Sequence, residues 1–143
     1  MTKKTSVAQK SNALRDSLTS FSNRPFASWA PGEELEIFEF GQFSVEVNNR
    51  TTTGQLLGQT AQIRFTASSI AWQFSDSSTA PGRSVAKSFQ NVGSFLARAK
   101  VSYRVDYQML GGNWVLDAAT VTLRSNQLEI EVTEPPRRTL LIL

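Results

Sequence analysis

The chain has 143 residues, of which 40% are hydrophobic and 19% charged, enough apolar material for one ordinary folded domain and unlike a disordered tail. It contains no cysteine and no histidine, which excludes disulfides and thiolate metal sites and removes the commonest general base, zinc ligand and activator of a serine nucleophile. Net charge is +3, distributed as +4 over residues 1–30, five glutamates without a base over residues 31–47, and +4 over the remainder.

The first predicted element runs from Ser6 to about Phe21. Leu14, Leu18 and Phe21 fall at i, i+4 and i+7 on one face of a short amphipathic helix, and Ser6 with Gln9 resembles a capping box. Such a narrow stripe needs a surface to lie on. Lys3, Lys4, Lys10 and Arg15 make this leader basic, a candidate for weak nucleic-acid contact through a few phosphates. Nothing in it resembles the apolar core of a secretory signal, and no stretch approaches the roughly 18 apolar residues of a membrane span. The expectation is a protein made in a host cytoplasm, with no signal peptide and no membrane partner. The Asn49-Arg50-Thr51 glycosylation match then has no compartment in which to act. Pro25 and Pro31-Gly32 break the helical pattern, so residues 1–31 read as arm and linker and residues 32–143 as the domain body. Trp29, inside the linker, is a candidate docking anchor.

Beyond the linker the period becomes two. Leu35 to Phe40 reads as strand, continuing into Phe43, Val45 and Val47 across a bulge at Gly41. Glu34 and Glu36 project together from one face of it. Glu33, Glu34, Glu36 and Glu39 lack the opposed geometry of a glycosidase pair and the Asp, Asn and Gly of a calcium loop, so they read as a solvated or inter-subunit face. Ala61, Ile63 and Phe65 mark a further strand, and Ile70, Trp72 and Phe74 another. Asp76 to Arg83 is a loop, and Val85 to Ala99 is one helix or two short strands, with strand favoured over Gly93 to Ala99.

Val101, Tyr103, Val105 and Tyr107 then alternate with Lys100, Ser102, Arg104 and Asp106. Gly111-Gly112 lies between two alternating segments rather than before a helix, which makes it a hairpin turn and not a phosphate loop. Trp114 to Leu123 follows, Ser125-Asn126 turns the chain again, and Leu128, Ile130 and Val132 complete a three-stranded antiparallel meander. Past Pro135-Pro136, Thr139 to Leu143 ends as a short apolar strand.

Seven or eight short strands with Gly, Asn, Ser and Pro punctuation predict an all-β fold, an antiparallel β-sandwich, jelly roll or small barrel with a short N-terminal helical arm. Its core should hold Ile63, Phe65, Ile70, Trp72, Phe74, Val101, Tyr103, Val105, Leu128 and Ile130. Trp72, Tyr103 and Tyr107 share the core phase, which argues against their stacking on bases or sugars beside Arg64, Arg98 and Arg104. No nucleophile elbow or dinucleotide fingerprint occurs, and neither an enzyme nor a cofactor or metal is expected. The architecture leads us to expect a structural protein of a virus or phage particle, a small coat, decoration or tail component residing in the virion. Its partners are copies of itself and other particle proteins, met through Leu14, Leu18, Phe21, Trp29, Glu34 and Glu36. The alternative is a β-sheet module for single-stranded nucleic acid or carbohydrate. Both rest on analogy between folds.

Overall fold

The alternating pattern is realised as strands in a computed structural model, which describes residues 24–56 and 58–135. Among these residues every helix or strand is a strand: β1 (Phe26–Ala30), β2 (Glu34–Glu36), β3 (Gly41–Glu46), β4 (Arg50–Leu56), β5 (Gln59–Phe74), β6 (Thr79–Pro81), β7 (Ser84–Lys87), β8 (Gly93–Met109), β9 (Trp114–Arg124) and β10 (Leu128–Thr133). The expected helical arm with Leu14, Leu18 and Phe21, the basic residues Lys3, Lys4, Lys10 and Arg15, and the C-terminal Thr139–Leu143 lie outside the described residues.

Two sheets form. A small one has the order β1-β3-β7, all antiparallel; the larger has the order β2-β10-β8-β5-β4, with β6 also on β5 and β9 also on β8. The parallel pairing of β2 with β10 makes the large sheet mixed. The small sheet lies on one half of the large one in a sandwich-like arrangement. Phe43 of β3 meets Trp72 and Phe74 of β5 edge to face at 5.8 and 5.2 Å, and Trp29 of β1 stacks on Phe43 at 5.6 Å. Phe89, from the loop before β8, closes this aromatic cluster against Phe74 and Phe95.

The small sheet cannot cover the rest, because β5 and β8 have 16 and 17 residues whereas β1, β3 and β7 have 5, 6 and 4. The large sheet instead curls into a half-barrel that buries Leu56, Ala61, Ile63, Phe65, Val105 and Val121 on its concave side. Bulges supply bends of this kind. On β5 the register against β8 shifts between Ala67 and Ser69, leaving Ser68 as one extra residue. That single residue turns the odd-numbered core phase of Ile63 and Phe65 into the even-numbered phase of Trp72 and Phe74. The two strands expected here are therefore one strand with a bulge.

Eight of the ten expected core residues are buried; Ile70 and Leu128 are half-buried. Four other expectations are corrected. Residues 26–30 of the expected linker are not a linker but the strand β1, paired residue for residue with β3; Pro25 and Pro31 flank it. Leu35–Phe40 is not one strand running into Phe43. Phe38 takes a left-handed conformation (φ 68°), and the chain turns there from the large sheet to the small one. Gly41 marks no bulge but a close approach, since a Cβ would sit 3.3–3.4 Å from Phe43, Leu35 and Trp29. The expected loop over Asp76–Arg83 contains β6, which folds back on β5.

The meander is corrected too. β9 and β10 do not pair with each other but lie end to end along one edge of β8, β9 on Lys100–Gln108 and β10 on Gly93–Ala97. Ser125 explains the continuity: its N–H donates to the Ala99 carbonyl at 2.8 Å while its Oγ accepts the Ala99 N–H at 2.9 Å, so the ladder runs through the supposed turn. Asn126 then bridges the two sheets. Its Oδ1 accepts the Ala27 N–H at 2.7 Å and its Nδ2 donates to the Ala27 carbonyl at 3.0 Å, as a neighbouring strand would. The Gly111-Gly112 hairpin stands as expected between β8 and β9, with Gly111 at φ 75°.

Candidate functional site

The expected acidic pair sits where the sequence put it, on an exposed strand face. Glu34 and Glu36 flank the buried Leu35 on β2. What sequence reasoning missed is the company they keep, because the parallel register sets Glu34 opposite Glu131 and Glu36 opposite Thr133, with Glu129 on the same outward side of β10. None of these carboxylates forms an ion pair among the described residues; the nearest help is a 2.7 Å hydrogen bond from Ser94 Oγ to Glu131. Like charges directly opposite in a sheet are destabilising. No three carboxylates among the described residues converge enough to share a metal ion. Beside this edge, between β1 and β10, an open groove is lined by Phe26, Trp29, Leu128, Glu33 and Glu129. Trp29 is half-buried there, one ring face committed to Phe43.

The arginines and aromatics weighed for stacking part company. Trp72 and Tyr103 are buried on the concave side, whereas Arg64, Arg98 and Arg104 project from the outer one. Burial pushes the Tyr103 hydroxyl above its ordinary value against the opposing charges of Arg50 and Arg83, as befits a core side chain.

Asp106, read from alternation as a solvent-facing residue of β8, is fully buried. Three residues of β9, Leu116 to Ala118, lie opposite this one residue of β8, and they fold over it. Its Oδ1 accepts the Asp117 N–H at 2.7 Å, holding Asp117 in a left-handed conformation (φ 51°), and its Oδ2 accepts from Arg64 Nε at 2.9 Å and Arg104 at 3.5 Å. Burial raises the carboxyl's pKa, but the Asp117 and Arg64 hydrogen bonds and the two arginine charges outweigh it and leave the group below the ordinary aspartate range. Arg64 in turn lies over the Trp114 ring at 4.3 Å. This satisfied cluster fixes the shape of the hairpin end.

That end is apolar and exposed. Leu110 is 90% exposed, and Leu116 and Val115 accompany it on the outside. At the other end of β8, Phe38 and Phe40 are 64% and 68% exposed, and Val92, directly before the strand, is exposed as well; the Phe38 N–H to Phe89 carbonyl bond, at 3.0 Å, ties that turn to the same end. Seventeen residues of strand separate the two patches, on the order of 50 Å. One sequence signal pointed here: a leucine directly before a Gly-Gly turn has no strand neighbour to cover it. No protein-family model matches this chain, and neither does any curated protein sequence.

Proposed function

We propose that this protein is a structural subunit that assembles head to tail with copies of itself, as a small coat, decoration or tail component of a virus or phage particle. The observation that carries the reading is the pair of apolar patches, Leu110/Val115/Leu116 and Phe38/Phe40/Val92, at opposite ends of the longest strand. Exposed apolar clusters of this kind mark interaction sites. Two different patches at two ends make a heterologous contact, which closes into rings or extends into filaments. A sandwich-like body stiffened by two long paired strands suits such a repeat. The leader adds a second link, its Leu14, Leu18 and Phe21 stripe covered by a neighbouring copy. Lys3, Lys4, Lys10 and Arg15 meet the Glu34, Glu36 and Glu131 edge, each exposed pair contributing about 0–1 kcal/mol and guiding register.

The test uses two variants of the full chain, Leu110→Ser with Leu116→Ser at one end and Phe40→Ser with Val92→Ser at the other. Sedimentation should show concentration-dependent large species for the parent chain and monomers for either variant alone. An equimolar mixture should form a one-to-one dimer, because each variant keeps the end the other lacks. A monomeric parent chain, or variants that assemble as the parent does, overturns the proposal.

A further inference from the structure

The outer face of the large sheet is charged in an ordered way. Along β8, Arg98, Lys100, Ser102 and Arg104 point outward between the buried Ala97, Ala99, Val101, Tyr103 and Val105. The registers place Gln73 beside Arg98, Arg124 beside Lys100, Thr122 beside Ser102 and Thr120 beside Arg104. Asp106 is shared by Arg64 and Arg104, so that group keeps one net positive charge. Arg98, Lys100 and Arg124 form no ion pair among the described residues.

Two features of this row run against the stability of the sheet. Lys100 and Arg124 are directly opposite in the antiparallel register, where like charges repel. Arg98 Nε is buried without a hydrogen-bond partner, and a buried donor left unmade carries a desolvation penalty. Arg98 and Arg124 line one open groove together with Gln73, Ser75 and Gln127, further side chains able to donate. A single oxyanion seated between Arg98, Lys100 and Arg124 relieves the repulsion and gives the Arg98 guanidinium a group of opposite charge. The row extends beyond one such anion, since Arg98 to Arg104 spans about 20 Å of strand, the reach of several phosphates in a chain. Trp114, on the same face, lies under the Arg64 guanidinium, so the surface offers contacts to a backbone more than to bases.

We propose that the outer face of β8 and β9 binds the phosphate backbone of a nucleic acid, with Arg98, Lys100 and Arg124 as the central phosphate site and Arg104 extending the track. This site is separate from the basic leader and from the two apolar ends, and it stands whether or not the chain assembles head to tail.

The experiment is a fluorescence-anisotropy titration of a short labelled oligonucleotide, single-stranded in one arm and duplex in another, with the full chain over a series of salt concentrations. Arg98→Gln with Arg124→Gln should weaken binding at low salt by roughly tenfold or more and flatten the log–log salt dependence by about 0.7–0.9 per lost contact. Arg83→Gln, which removes one charge from the β6–β7 loop away from this face, should leave affinity within about twofold. Inorganic phosphate should displace the oligonucleotide only in large molar excess. Thermal melting gives a second reading: Arg124→Gln should melt no lower than the parent, because it removes a repulsion, whereas a merely structural arginine would lower it. Unchanged binding by the double variant overturns the proposal, and so does displacement by inorganic phosphate at a concentration comparable to that of oligonucleotide phosphate. A double variant that keeps its affinity but loses an oligomer would instead assign the row to the acidic edge of a second copy.

Discussion

Replacing Asp106 by alanine tests the central structural claim, that one buried carboxylate sets the shape of the β8–β9 hairpin end. The Asp117 N–H at 2.7 Å is a hydrogen bond to a charged acceptor, and its loss costs about 1.5–3 kcal/mol. The Arg64 contact at 2.9 Å adds only about 0–1 kcal/mol, because that side chain is 38% exposed and returns to water. Arg104, at 3.5 Å and 49% exposed, adds nothing measurable. The expected loss is therefore about 1.5–4 kcal/mol, or roughly 10 °C in melting temperature for a chain of this length. The carboxyl's folded pKa lies below the ordinary value of 3.8, so its contribution is complete above the unfolded value and disappears as pH falls through the folded one. The melting gap between parent and variant should be full at neutral pH and narrow below about pH 4. Asp76, depressed as well through Lys87 and Ser78 against the opposing effect of its own burial, is present in both proteins and cancels. A gap that stays constant down to pH 3, or a neutral-pH shift under about 2 °C, refutes the reasoning.

Two further substitutions probe the core and the junction of the sheets. Trp72 is fully buried and its Nε1 donates to the Gly82 carbonyl at 3.0 Å; Trp72→Ala should cost about 3–5 kcal/mol in chemical denaturation, and a loss under about 1 kcal/mol would mean the aromatic cluster is not the core. Asn126→Ala removes both hydrogen bonds to Ala27 and should cost about 1–3 kcal/mol. The Ala27 amide should then exchange far faster than in the parent chain; unchanged protection there would show that Asn126 does not join the sheets.

Much of this fold could be read from the chain because alternation reports burial directly: Ile63, Phe65, Trp72, Phe74, Val101, Tyr103 and Val105 are where their period placed them. The failures share a cause. Single extra residues, Ser68 on β5 and one among Ser125–Gln127 on the β9–β10 edge, leave no mark in a hydrophobic pattern except a change of phase, and a phase change looks like two strands or a turn. The strand β4, with its run of three threonines, pairs Arg50 to Leu56 with β5 and carries no alternating apolar set to announce it. Asp106 was hidden for a different reason. Its burial comes from three β9 residues looping over the polar face, a tertiary event that no local spacing encodes. The acidic edge was half legible: Glu34 and Glu36 sharing a face follows from period two, but Glu131 joins them only through a parallel pairing between segments almost a hundred residues apart.

The difference between scaffold and site in this molecule is the difference between polar groups that are satisfied and those that are not. Asp106 is buried and charged, yet every strong bond it needs is made, so it positions β9 and asks for nothing more. Asn126 and Ser125 likewise spend their polar atoms on backbone groups of the neighbouring strands. The same sheet carries Glu34 opposite Glu131 at one edge and Lys100 opposite Arg124 further in, two like-charge pairs in direct register, and Arg98 with a buried nitrogen unbonded. Serine or threonine at these positions, as at the neighbouring Ser102 and Thr122, would carry no such repulsion. Each like-charge pair would be relieved by a group of opposite charge, the role proposed above for a cationic segment at the β2–β10 edge and for a chain of phosphates along β8. Satisfied polar groups thus hold the β8–β9 hairpin end and the junction of the two sheets, while like charges meet in register at Glu34–Glu131 and Lys100–Arg124.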